Sequence, residues 1–169
     1  MKKLFYITVG LCFVFLPSIA SARVDITSDI TESTTWTRDA GPYVIDGEIL
    51  IPNGVTVNVE PGTVIKYTLY SKLTINGVLN LNGSDSESIV VTSNRDDEYG
   101  GDTNADEELD YEESPAVADF EAYTVTSGGS LKVGHTLFRY TGTVMANEGG
   151  SVNILLYHLI MSTACCGNG

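Results

Sequence analysis

From residue 43 onward, apolar and polar residues alternate in short runs that glycine, asparagine and proline interrupt. The runs are Gly47-Glu-Ile-Leu-Ile51, Val55-Thr-Val-Asn-Val59, Thr63-Val-Ile-Lys-Tyr67, Lys72-Leu-Thr-Ile75, Val78-Leu-Asn-Leu81 and Ser88-Ile-Val-Val-Thr92. A period of two puts the apolar side chains on one face of an extended backbone, so each run predicts a strand. Between them lie Pro52-Asn53-Gly54, Glu60-Pro61-Gly62, Asn76-Gly77 and Asn82-Gly83, each offering a fixed or positive φ where the chain must turn. No stretch of useful length carries the helical period, and the chain reads as all-β.

Internal repetition decides between a hairpin barrel or sandwich and a solenoid. Gly128-Gly-Ser-Leu-Lys-Val133 returns as Gly149-Gly-Ser-Val-Asn-Ile154, a shift of 149 − 128 = 21 residues. Leu73-Thr74-Ile75 and Val55-Thr56-Val57 carry the same apolar-x-apolar kernel after turn residues. One such kernel per coil, stacked on its neighbour, buries the inward residues in a continuous column. Trp36, upstream of the first clear strand, is expected to cap the open N-terminal end of that column.

Charge narrows the partners. The chain has 9 Lys+Arg against 22 Asp+Glu, a formal charge of −13, and is 43% hydrophobic. A net charge of that sign excludes binding to nucleic acid by bulk electrostatics, and the apolar share excludes a disordered acidic tail. Residues 1–22 have a basic start (Lys2, Lys3), an apolar run from Leu4 to Leu16, Pro17 and the small-residue end Ala20-Ser21-Ala22. This is the layout of a cleaved secretory signal peptide, and the apolar run is too short for a membrane span. Cleavage would leave a mature charge of 7 − 22 = −15 and no transmembrane segment. Of the three cysteines, Cys12 would be lost; the adjacent Cys165 and Cys166 make no disulfide framework and are expected as free thiols or a crosslink to another chain.

Ten carboxylates and no Lys or Arg fall between Asp96 and Glu113. Like charge at that density needs a cation, salt or water to screen it. Within this stretch Asp102, Asn104, Asp106, Asp110 and Glu113 stand at positions one, three, five, nine and twelve of a calcium-loop count, with Leu109 at the apolar eighth. Oxygens so spaced can converge at about 2.4 Å on one Ca²⁺. Glu107 takes the sixth place, where the sharp turn wants glycine, and a solvated acidic bulge on one coil is the rival reading.

The segments Tyr43-Val-Ile-Asp-Gly-Glu-Ile-Leu-Ile-Pro-Asn-Gly-Val-Thr-Val-Asn-Val-Glu-Pro-Gly-Thr-Val-Ile-Lys66, Leu73-Thr-Ile-Asn-Gly-Val-Leu-Asn-Leu-Asn-Gly83 and Ile89-Val-Val-Thr-Ser-Asn-Arg-Asp-Asp-Glu-Tyr-Gly-Gly-Asp-Thr-Asn-Ala-Asp106 come in that order. Together they resemble the opening coils of bacterial secreted right-handed parallel β-helix proteins. The resemblance implies a short right-handed parallel β-helix behind the signal peptide. Its plan is a lead-in or cap over 23–42, coils over 43–161 with an acidic insertion at 95–118, and a tail over 162–169. The coils are few for that group and the stretch Ile154-Leu-Leu-Tyr-His-Leu-Ile-Met161 is apolar, which predicts a shortened member, either a truncated gene product or a piece that pairs through its exposed end.

The leader layout predicts export to the periplasm, the medium or the cell surface, and a rigid extended surface with a supply of tyrosines predicts a binding or adhesion role toward an extracellular glycan or protein surface. The alternatives are a polysaccharide lyase or hydrolase and a non-functional fragment of a longer surface protein. Catalysis is disfavoured because the acids gather in a loop and only Lys132, His135, Arg139 and Glu148 accompany the repeated coils. His135 and His158, 23 residues apart and so near one coil length, read as a stacked surface pair or as simple strand-end positions rather than as a catalytic pair. Tyr43, Tyr67, Tyr70, Tyr99, Tyr111, Tyr123, Tyr140 and Tyr157 supply aromatic surface for a ligand or for packing.

Overall fold

In the computed structural model the described residues are 23–105, 114–155 and 157–160. The leader and the cysteines therefore lie outside the described residues. The strands are β1 (Val24–Ile26), β2 (Thr34–Trp36), β3 (Tyr43–Ile45), β4 (Glu48–Ile51), β5 (Thr56–Val59), β6 (Val64–Tyr67), β7 (Lys72–Ile75) and β8 (Val78–Asn82). They continue as β9 (Ile89–Ser93), β10 (Phe120–Thr126), β11 (Ser130–Gly134), β12 (Thr136–Arg139), β13 (Thr141–Glu148), β14 (Ser151–Ile154) and β15 (Tyr157–Ile160).

Every strand pair is parallel, and the strands sort into three sheets: β1-β3-β6-β9-β12-β15, β13-β10-β7-β4 and β14-β11-β8-β5-β2. From β3 on, the chain visits the six-, four- and five-stranded sheets in turn and then climbs to the next coil. This is a parallel β-solenoid, as the sequence predicts. The 21-residue repeat is one coil: Ser130, Leu131, Lys132 and Val133 lie opposite Ser151, Val152, Asn153 and Ile154. The two shorter kernels belong to different sheets. Leu73 and Ile75 stack on Ile49 and Ile51, whereas Val57 stacks on Leu79.

Inward positions form columns. On the six-stranded sheet Tyr43, Ile65, Val91 and Phe138 are stacked in register, and on the five-stranded sheet Trp36, Val59, Leu81 and Val133. All are buried. At one corner the core is aromatic: Tyr67 stacks on Phe120 at 4.5 Å, and Tyr123 meets Tyr67 and Phe138 edge-on. The Tyr67 hydroxyl donates to the Ala122 carbonyl at 3.1 Å. Burial raises the pKa of both phenols, Tyr67 and Tyr123, well above its ordinary value.

The two ends differ. At the first coil Trp36 is buried and stacks on Tyr43 at 4.8 Å, closing the column as expected. Beside it the Ile30 amide donates to the Leu50 carbonyl, and Asp29 and Ser33 side chains accept from the Leu50 and Thr56 amides, so the outer edge of β4 is partly satisfied and the start of β5 is tied down ahead of its pairing with β2. At the other end Ile154, Leu155 and Leu159 are exposed.

Corners need residues that let backbones touch. A methyl group on Gly129 would lie 2.0 Å from the Ile75 carbonyl oxygen of the coil below. Gly129→Ala must therefore push two coils apart, and it is expected to lower stability by at least about 2 kcal/mol in urea unfolding, comparable to Leu79→Ala in the centre of a column. A second expectation concerns alkaline pH. A phenol whose folded pKa is raised stabilises the native chain fully below about pH 10 and loses that contribution as pH rises, by about 1.4 kcal/mol per unit. Urea midpoints between about pH 9 and 11 should show the advantage of wild type over Tyr67→Phe shrinking with that slope.

Candidate functional site

Two places gather chemistry. The first is the outer face of the six-stranded sheet. Alternation turns Val44, Lys66 and Thr92 outward on β3, β6 and β9 in one register row, and Arg139 follows inward-facing Phe138 on β12. All four are buried, because the acidic segment leaves the corner after β9 and folds back over this face. Gly100 approaches so closely that a methyl group on it would stand 3.0 Å from Pro42.

Opposite charges meet under this strap. Asp96, 3% exposed, accepts from Thr92 Oγ1 at 2.6 Å and lies 3.4 Å from Arg139 Nε. Arg139 also donates to Glu98 at 2.6 Å and to the Tyr140 hydroxyl at 3.1 Å, with its guanidinium over the rings of Tyr99 and Tyr140. Burial alone would lower the Arg139 pKa; its hydrogen bonds to Glu98 and Tyr140 and the charge of Asp96 outweigh that and hold it above its ordinary value. Lys66 Nζ donates to the Gly101 carbonyl at 2.5 Å. Burial pushes its ammonium down, against the charges of Asp97, Asp96 and Asp102. Arg23 donates to the Thr103 carbonyl, and Ser93 donates to buried Asp119 at 2.7 Å on the far side of the insertion.

Of the calcium-loop residues, Asp102 and Asn104 are described, while Asp106, Asp110 and Glu113 lie outside the described residues. Asp102 Oδ1 accepts from the Ala105 amide at 2.7 Å. Among the described residues no three His, Cys, Asp or Glu side chains come together as a metal-holding group. The cations that face these acids are the chain's own Lys66, which sequence reasoning passed over, and Arg139, which it placed only beside the repeated coils. Their signal was a basic residue at the outward place of an otherwise apolar strand.

The residues considered for catalysis are dispersed. Lys132 stands on the outer face of the five-stranded sheet between Asn80 and Asn153, Glu148 ends β13, and Arg139 belongs to the strap. His135 sits at a corner, 3.1 Å from Asp85. His158 lies opposite Leu137, so the two histidines are not register partners: the coil is 21 residues, not 23.

The second place is a groove of about 430 Å³ at the corner between the six- and four-stranded sheets. Here Tyr70 is 80% exposed, whereas Tyr43, Tyr67, Tyr123 and Tyr140 are buried. Its backbone is left-handed, φ 63°, a conformation that costs a non-glycine residue energy. Its amide donates to the Asp119 carbonyl at 2.7 Å, which anchors the turn. Glu48, Lys72, Glu121 and Thr143 continue the groove along successive strands, over buried Phe120. Lys72 Nζ lies 3.0 Å from Glu48.

No family model, curated protein or solved structure matches the chain. The strap gives the clearer energetic expectation. Arg139→Met leaves Asp96 without its nearest cation and should cost about 3 kcal/mol in urea unfolding. Asp85→Ala, which removes a 93%-exposed partner of His135, should stay within about 0.5 kcal/mol of wild type.

Proposed function

We propose that this chain is exported, cleaved after Ala22, and acts in the periplasm, the medium or at the cell surface as a β-helix protein that binds an extracellular glycan or protein surface without transforming it. The observation that carries the binding role is Tyr70: a strained turn, anchored through its backbone, holds a large aromatic ring out of the core above a polar groove. Strain retained at an exposed aromatic, on a scaffold whose other described core tyrosines are buried, is a reason to look for a ligand there. The leader layout and the acidic surface support export. No helix among the described residues is long and apolar enough to cross a membrane.

An enzymatic reading draws on Glu48 and Glu121, two carboxylates lining one groove. Glu48 is engaged by Lys72 at 3.0 Å, and paired acids serve hydrolysis when one is free to give a proton and the other to attack or activate water. Binding is therefore the reading favoured.

Expression of the full chain in a secreting host should yield a product whose N-terminal residue is Arg23. That product, immobilised, should retain members of a glycan or surface-protein array and release no reducing ends or unsaturated sugars from bound polysaccharide. An uncleaved cytosolic product would defeat the export half of the proposal, and turnover would replace binding by catalysis.

A further inference from the structure

We infer that the groove at Tyr70 takes an uncharged, linear oligosaccharide lying along the solenoid axis, with one sugar ring stacked on Tyr70. The inference rests on the binding role proposed above and names its site and ligand class.

The direction follows from register. Glu48 and Lys72 are partners on β4 and β7, the Glu121 amide donates to the Ser71 carbonyl, and Glu121 is the partner of Thr143 on β13. The lane Glu48, Lys72, Glu121, Thr143 thus crosses four successive coils. At about 4.8 Å per coil it spans about 14 Å, room for a short run of sugar rings but not for a globular partner. The wall is the anchored Tyr70 turn. Across from it Gly142 sits where a methyl group would come 2.8 Å from the Ala118 Cβ, so the residue there must be small for the two turns to close.

The ligand class follows from the alternation of charge along that lane. Acceptor, donor, acceptor and hydroxyl succeed one another, so a ligand must offer both donors and acceptors at each step. The hydroxyls of a sugar chain do this: they donate to Glu121 and Glu48 and accept from Lys72 and Thr143. The C–H face of a sugar ring suits the exposed face of Tyr70. Two carboxylates against one ammonium leave the lane with an excess of one negative charge on a protein of net charge −13, which disfavours uronates. A simple cation is disfavoured because Lys72 lies between the two acids. An extended peptide recognised by strand addition would seek a bare sheet edge, and this lane is built of side chains on a sheet face.

The exported protein would be titrated calorimetrically with cellohexaose, mannohexaose and trigalacturonic acid. At least one neutral hexasaccharide should bind in the millimolar range or tighter, with trigalacturonate weaker by about tenfold or more. Tyr70→Asn, which tolerates the left-handed turn, should lose about tenfold or more in affinity while its melting temperature moves by less than about 2 °C, and Tyr70→Phe should retain binding. Equal binding by Tyr70→Asn overturns the site but leaves glycan binding standing. A preference for trigalacturonate overturns the ligand class. Silence toward all three sugars overturns the inference; if the array still captures a partner, the binding role survives it.

Discussion

The structure depends on one ladder: the backbone hydrogen bonds that join each coil to the next. Because every strand pair is parallel and, apart from a bulge between Phe120 and Glu121, in register, the ladder fixes which side chain stands above which. Inside, it lines up Val57, Leu79 and Leu131, or Tyr43, Ile65, Val91 and Phe138, so that apolar area is removed from water in columns rather than in a scattered core. Outside, the same ladder aligns the polar residues, as where Asn80 donates to Asn58 on the next coil at 2.9 Å.

That alignment also gives the acidic segment its partners. Lys66 and Arg139 are 73 positions apart in sequence, yet β6 and β12 flank β9 in one sheet. The segment leaves the end of β9 and turns back across both. Its acids thereby meet two cations that a reading confined to residues 96–113 lacks. Buried Asp96 is tolerable because Thr92, Arg139 and the Glu98 amide all face it. The groove has a similar origin, since the strands that start at Glu48, Lys72 and Phe120 begin their passage through the four-stranded sheet at one corner.

Much of this was legible in the sequence wherever the information is local. Period-two runs and turn residues locate β4 to β9 to within a residue or so, and the Gly-Gly-Ser repeat finds β11 above β14. β1 and β2 were hidden because a three-residue strand has no period to display. β10 follows the long insertion, where no repeat spacing survives to announce it. His135 and His158 miss one another because their separation of 23 residues exceeds by two the 21-residue step from β12 to β15, which puts His158 opposite Leu137 instead. The prominence of Tyr70 could not be read at all: it depends on a hydrogen bond to Asp119, across an insertion whose return path the sequence does not state.

Register partners on the six-stranded sheet are separated by 22 residues from Tyr43 to Ile65, by 26 from Ile65 to Val91, and by 47 from Val91 to Phe138. The coil from Val91 to Phe138 is nearly twice the length of the one before it, yet its strand rejoins the ladder at the same step, and the next, from Phe138 to Leu159, returns to 21 residues. Closing a loop of 47 rather than 26 residues costs only about 0.5 kcal/mol in chain entropy. Length is therefore nearly free at the corner after β9, whereas composition is not: a segment of any length that starts there must still bring a carboxylate to Arg139, as Asp96 and Glu98 do, and an acceptor to Lys66, as the Gly101 carbonyl does.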